Sequence, residues 1–251
     1  MNSQAASLAL LLFLGVFGCQ AATSRKSFPL PAQEAPVLRI ACLGDSNTSS
    51  NWRHWGDPGF VHGSGWCEQL VTELDEFSVQ IENHAVGGAR AIDSPPELLT
   101  STGLALDGAH QLAAALAGEP PDLVLLAFVT NDLNPRDPRS PEEIVEALAT
   151  LAGVAEAAGS TALVATAPAV FPKARAGASS PDPLRIEQVN VLIRKTFPDD
   201  RRLDFDQGFL LFHYFDEMHL NTAGHTLRAR QAAGAIRRAL GLSPPRAAGR
   251  P

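Results

Sequence analysis

No basic stripe and no long run of like charge occurs in this sequence. Its 20 lysines and arginines are interspersed with 27 aspartates and glutamates, for a net charge of −7. Electrostatic attraction to nucleic acid or to an anionic lipid surface therefore has little to act through, and no nucleic-acid partner is expected. Cysteine is scarce as well. Beyond Cys19 only Cys42 and Cys67 remain, which permits one disulfide without requiring it. Cys42 lies in an apolar run, where a buried free thiol is at least as natural. The main hydrophobic run, Ala5 to Gly18, is shorter than the ~20 residues a membrane-spanning helix needs. Phosphate-loop and metal patterns are missing too. "GSG" at Gly63 to Gly65 is followed by neither a lysine nor the G-x-G-x-x-G spacing, and His219 and His225 suit no common zinc spacing. Neither a metal nor a nucleotide cofactor is expected, and no internal repeat is visible.

What is present begins with an export signal over residues 1–18, because an uncharged apolar stretch of that length fits a signal core. Its end, "VFGC" at Val16 to Cys19, resembles a bacterial lipobox, which makes Cys19 a lipidation candidate. The alternative is a plain secretory signal cut near Ala21 or Ala22. Residues 19–36 are polar and proline-punctuated and read as a flexible tether, residues 37–241 as one folded domain, and residues 242–251 as a loose tail. The chain is therefore expected to be exported, membrane-anchored through the lipid or else secreted. The anchor is the one membrane contact expected.

Within 37–241, five short apolar runs are expected to be strands: Val37 to Leu43, Ser78 to Ala85, Asp122 to Val129, Thr161 to Thr166 and Arg202 to Phe205. Helix-period segments separate them. Ser140, Pro141 and Glu143 form a capping box ahead of Ile144, Leu148, Leu151 and Val154. Asp182 and Pro183 open a helix with Ile186, Val189, Ile193 and Phe197 on one face, and Asn221 can cap a last one. Alternation of this kind predicts an α/β domain, a parallel five-stranded sheet between two helical layers. Ligand chemistry then belongs at the carboxyl ends of the strands.

Four of those ends carry reactive or donor groups. "GDSN" with Ser46 follows the first strand, "NHAVGGAR" with Gly87 and Gly88 the second, and "VTND" with Asn131 the third. After the fifth, "DEMHLN" sets Asp216 three residues before His219. A hydroxyl, an imidazole and a carboxylate beside amide donors are the parts of acyl transfer through serine. From about Val37 to Leu240 these ordered blocks resemble the SGNH hydrolase superfamily, the GDSL-like lipases and esterases. One departure is plain: the third block usually reads G-x-N-D, and Val129 stands where its glycine would be.

The resemblance implies a flavodoxin-like three-layer α/β/α sandwich. It also implies Ser46 as nucleophile, His219 as general base and Asp216 as the group orienting the imidazole. The oxyanion hole would comprise the backbone N–H groups of Ser46 and Gly88 and the side-chain amide of Asn131. Asp45 is read as a structural turn residue. The absence of any G-x-S-x-G elbow argues against the α/β-hydrolase family.

The segment Ser49 to Gly63 is long for a connection in a compact sheet, and its Trp52 and Trp55 suit a substrate wall. "FLLFHYF" (Phe209 to Phe215) reads as core, with a lining of the same pocket as the alternative because it leads directly into Asp216. The expected activity is that of an exported serine esterase on short acyl esters, such as O-acetyl groups of a small molecule or glycan. An acyltransferase using the same site, or a scaffold that binds without turnover, are the alternatives. Oligomeric state leaves no mark in the sequence.

Overall fold

The chain divides into two units after Glu34, and the folded domain lies in the second, Ala35–Pro251. The computed structural model of the protein describes residues 37–49, 65–92, 107–135, 139–168, 181–216 and 218–242. Five strands form one sheet: β1 (Val37–Gly44), β2 (Ser78–Asn83), β3 (Leu123–Ala127), β4 (Thr161–Ala165) and β5 (Arg202–Leu203). Their order is β2-β1-β3-β4-β5 and every pairing is parallel. In this order the chain reverses direction across the sheet between β1 and β3, the place where open α/β sheets leave a crevice for ligands.

Strand β3 shows why the sheet lies between two layers. All five of its residues are buried, and alternate side chains enter different cores because successive strand residues point to opposite faces. Val124 and Leu126 join one cluster with Ile144, Leu148, Val189 and Ile193. Leu123 and Leu125 join the other with Trp66, Leu70, Phe205 and Ile236. The first is covered by α2 (Gly108–Ala115), α3 (Pro141–Ala157) and α4 (Pro183–Thr196), the second by α1 (Trp66–Glu73) and α5 (Thr222–Ala239). The three-layer sandwich expected from the alternating pattern is therefore the observed fold.

Three helices begin where their caps predict. The Ser140 hydroxyl accepts the Glu143 N–H at 3.1 Å while the Glu143 carboxylate accepts the Ser140 N–H at 2.7 Å, with Pro141 at the first turn of α3. Asp182 caps α4 through the Leu184 N–H, and Asn221 caps α5 through the Gly224 N–H. β5 is shorter than its apolar run suggests. Past Leu203 the Phe205 N–H turns back onto the Leu203 carbonyl and the Thr166 hydroxyl, which ends the ladder.

Cys42 on β1 and Cys67 on α1 are joined in a disulfide, and both are fully buried. The free-thiol alternative therefore gives way to a cross-link beneath the turn that carries Ser46. The "FLLFHYF" segment is only half core. Phe209 and Tyr214 pack with Leu220 in a small separate cluster, whereas Leu210, Leu211 and Phe212 are more than half exposed, because a 3-10 turn at Leu211–His213 faces them outward.

Candidate active site

The turn that holds Ser46 starts at Gly44, and only glycine fits there. A Cβ would lie 2.5 Å from the Ala127 carbonyl oxygen and 2.7 Å from the Thr48 hydroxyl. Past it the chain closes on itself, with the Thr48 and Ser49 N–H groups donating to the Asp45 carbonyl at 3.0 and 2.9 Å. Ser46 is 8% exposed. Asp45 does what a turn residue does, accepting the Asn47 N–H at 2.9 Å through its own carboxylate. Burial pushes the Asp45 carboxyl upward in pKa, and the Arg228 guanidinium opposes that shift. Burial likewise brings Arg228 down to about 10, against the pull of Asp45.

His219 reaches this turn from the segment before α5. Asp216 shapes that segment: its Oδ1 accepts the Met218 and His219 N–H groups at 3.1 and 2.7 Å. Its other oxygen, Oδ2, takes the His219 Nδ1–H at 2.7 Å. With Nδ1 committed as a donor, Nε2 is left to accept, and it lies 3.1 Å from the Ser46 Oγ. The imidazole also stacks on Phe215 with ring centroids 5.9 Å apart. Partial burial raises the Asp216 carboxyl, but the His219 side-chain and backbone hydrogen bonds and the Met218 N–H together outweigh it and hold the group at about 2. Asp216 is thus a carboxylate across the neutral range, and can orient the ring and stabilise it when protonated.

The candidate oxyanion donors, Gly88 and Asn131, follow β2 and β3. Pairing between β1 and β2 continues past the strands through His84 N–H to the Cys42 carbonyl and Val86 N–H to the Gly44 carbonyl. The chain leading to Gly88 therefore runs beside the Ser46 turn. Gly88 has φ +86°, a backbone that favours glycine. The Asn131 side-chain amide donates to the Ala89 carbonyl at 3.0 Å, which ties the β3 end directly to the Gly88 loop. Asp132 adds two more ties, accepting the Ala91 and Ile92 N–H groups at 3.1 Å each. Burial lifts its carboxyl to about 6 in spite of these donors.

Val129 takes φ +102°, the one described non-glycine residue with positive φ. A β-branched side chain is strained there. A fully buried valine thus holds a backbone conformation that favours glycine.

The structure therefore brings Ser46, Asp216 and His219 together, with Asn131 and the Gly88 loop joined to one another nearby. Trp52, Trp55 and Cys19 lie outside the described residues. Among the described residues no group of three or more histidine, cysteine, aspartate or glutamate side chains is arranged to hold a metal ion.

The model of the GDSL-like lipase/acylhydrolase family matches residues 42–227. The chain belongs to this family. It is thereby a carboxylic ester hydrolase of the GDSL type. No curated protein sequence matches this GDSL hydrolase, but solved structures share its fold. A candidate arylesterase from Agrobacterium tumefaciens is 21% identical, with a TM-score of 0.64 over 80% of this chain and 99% of that one. A carbohydrate acetylesterase family member from Sinorhizobium meliloti is 17% identical, with a TM-score of 0.66 over 82% and 100%. The inhibitor-bound aryl esterase of M. smegmatis is 18% identical, with a TM-score of 0.63 over 80% and 99%.

Three residues of the GDSL hydrolase that hold the site do not stand out in the sequence. Gln111, on the buried face of α2, bonds to both backbone groups of Gly44. Asn47 spans from the Ser46 turn to the His219 segment. Arg228, on the inner face of α5, donates to the Asn47 carbonyl at 3.2 Å and lies 4.3 Å from the centre of the Phe205 ring. Asn47 stands inside the motif, which could have marked it. Nothing local marks Gln111 or Arg228.

Proposed function

We propose that this chain is an exported serine esterase that removes short acyl groups, O-acetyl above all, from small-molecule or glycan esters through an acyl-enzyme on Ser46. The observation that carries the reading is the relay from Asp216 Oδ2 through His219 Nδ1 at 2.7 Å, and from His219 Nε2 to Ser46 Oγ at 3.1 Å. As Ser46 Oγ attacks the ester carbonyl carbon, its proton passes to His219 Nε2, since neutral serine is a weak nucleophile. Negative charge then rests on the former carbonyl oxygen. In this reading the N–H groups of Ser46 and Gly88 and the amide of Asn131 stabilise that charge, each typically worth roughly 3 kcal/mol of barrier. Collapse expels the alcohol, which takes the proton from His219. Water then attacks the acyl carbon and gives its proton to His219, and Ser46 Oγ departs by taking that proton back.

Export is supported by the signal-like N-terminus and by the Cys42–Cys67 disulfide, because such bonds persist in oxidising compartments. Lipidation at Cys19 belongs to the same reading and is tested by the mass of the mature N-terminus. An acetyl substrate is supported by the carbohydrate acetylesterase family member with which the chain shares its fold, and a sugar or acyl partner by Trp52 and Trp55 in the segment after Ser46. A panel of acetyl, butyryl and octanoyl aryl esters with acetylated xylan and chitin oligomers tests it. Turnover should be greatest for acetyl, and preference for octanoyl would refute the short-acyl assignment.

A further inference from the structure

Ser46 and His219 are 173 residues apart in sequence, yet their hydrogen bond tolerates little error in distance or direction. That bond cannot hold itself in place, because it breaks and re-forms in every turnover. The segment carrying His219 needs an anchor on the turn carrying Ser46.

Asn47 has the geometry of that anchor. Its Oδ1 accepts the Leu220 N–H at 3.0 Å, and its Nδ2 donates to the Met218 carbonyl at 3.2 Å. One side chain thus grips the backbone on both sides of His219, from the residue directly after Ser46. The grip is itself braced. The Asn47 N–H donates to Asp45 Oδ1 at 2.9 Å, and its carbonyl accepts from Arg228 Nη1 at 3.2 Å. Asn47 is 3% exposed and Leu220 fully buried, so water is poorly placed to substitute for the bond between them. A leucine, the fourth residue of the motif in the family's description, has similar size but no donor or acceptor.

We propose that Asn47 is a positioning residue of the esterase, setting the register of His219 against Ser46 through this pair of hydrogen bonds. The inference rests on the serine-esterase reading. Its effect falls on kcat rather than on substrate affinity, because the anchor touches the loop that carries the base and acts on proton transfer. A misplacement of about 1 Å can cost about 100-fold in rate.

The test compares the full chain with Asn47→Leu, Asn47→Asp and Ser46→Ala on para-nitrophenyl acetate, measuring kcat and KM separately, with circular dichroism to establish folding. Asn47→Leu should lose roughly 100-fold in kcat while KM stays within about threefold. Asn47→Asp keeps the acceptor for Leu220 but sets a carboxylate oxygen against the Met218 carbonyl, so it should lose kcat as well, and a folded Asn47→Asp with wild-type kcat would show that the Met218 bond does not position His219. A folded Asn47→Leu with kcat within about threefold of wild type overturns the inference, as does a loss confined to KM. If Ser46→Ala turns over like wild type, the esterase reading itself fails, and an inactive Ser46→Ala beside a fully active Asn47→Leu removes only the anchor. Amide exchange in the wild type gives a readout independent of variant folding. The Leu220 N–H should be strongly protected, and exchange as fast as at an exposed loop amide would overturn the anchor.

Discussion

Gln111 closes a two-bond ring on Gly44, two residues before Ser46: its Oε1 accepts the Gly44 N–H at 2.8 Å and its Nε2 donates to the Gly44 carbonyl at 3.0 Å. β1 ends at Gly44, where ladder bonding gives way to the turn. The side chain of α2 thus supplies what a further strand residue would have supplied. Replacing Gln111 by leucine leaves a buried donor and weakens the pairing of a buried acceptor. It should cost about 2 kcal/mol in urea unfolding, and a change under about 0.5 kcal/mol would show that the ring does not stabilise the turn.

Val129 is held at φ +102° while fully buried. Val129→Gly relieves strain on the order of 1–3 kcal/mol but forfeits buried apolar area. Val124, equally buried in β3, has no such strain to release. Val129→Gly should therefore be at least ~1 kcal/mol less destabilising than Val124→Gly. Equal losses in parallel unfolding experiments would mean the strained backbone stores no energy.

Asp132 and Asp216 act on stability with opposite sign. Burial raises Asp132 from 3.8 to about 6. Between those values the folded chain keeps a proton the unfolded chain has lost, so stability falls as pH rises from about 4 to 6 and is flat above. Asp216 is held at about 2 in the folded state by His219 and Met218, after burial is outweighed. Its contribution is present above 3.8 and is lost as pH falls toward 2. Unfolding at fixed pH values should show the decline between about 4 and 6 flattened in Asp132→Asn. An unchanged decline would assign it elsewhere.

The Cys42–Cys67 disulfide closes a loop of about 25 residues that contains Ser46. Replacing both cysteines by alanine should lower stability by about 3.5 kcal/mol, the chain-entropy value for such a loop. Wild-type protein unfolded without reductant should take up no alkylating agent at either position, and labelling there would contradict the bridge.

Periodicity and caps make the sandwich readable, because a sheet covered on both faces writes itself as apolar runs such as Leu123–Ala127, and helices announce their starts at Ser140, Asp182 and Asn221. α1 and α2 carry weaker signals. Each is only 8 residues long, and the N-cap of α1 is Gly65, which offers no side-chain cap. The candidate reactive groups are legible as motif blocks at strand ends. The residues that hold them are not, since Gln111 finds its partner 67 residues away and Asn47 finds Leu220 173 away. Such bonds have no period. The exposure of Leu210 to Phe212 is hidden for a related reason: composition says apolar, and the 3-10 turn decides which way the side chains face.

The most direct test of Ser46 as nucleophile is hydrolysis of para-nitrophenyl acetate by Ser46→Ala and wild type at equal folded concentration. A loss of at least roughly 1,000-fold in kcat is expected, with the unfolding midpoint unchanged. Turnover by folded Ser46→Ala within about tenfold of wild type would contradict an acyl-enzyme on this serine.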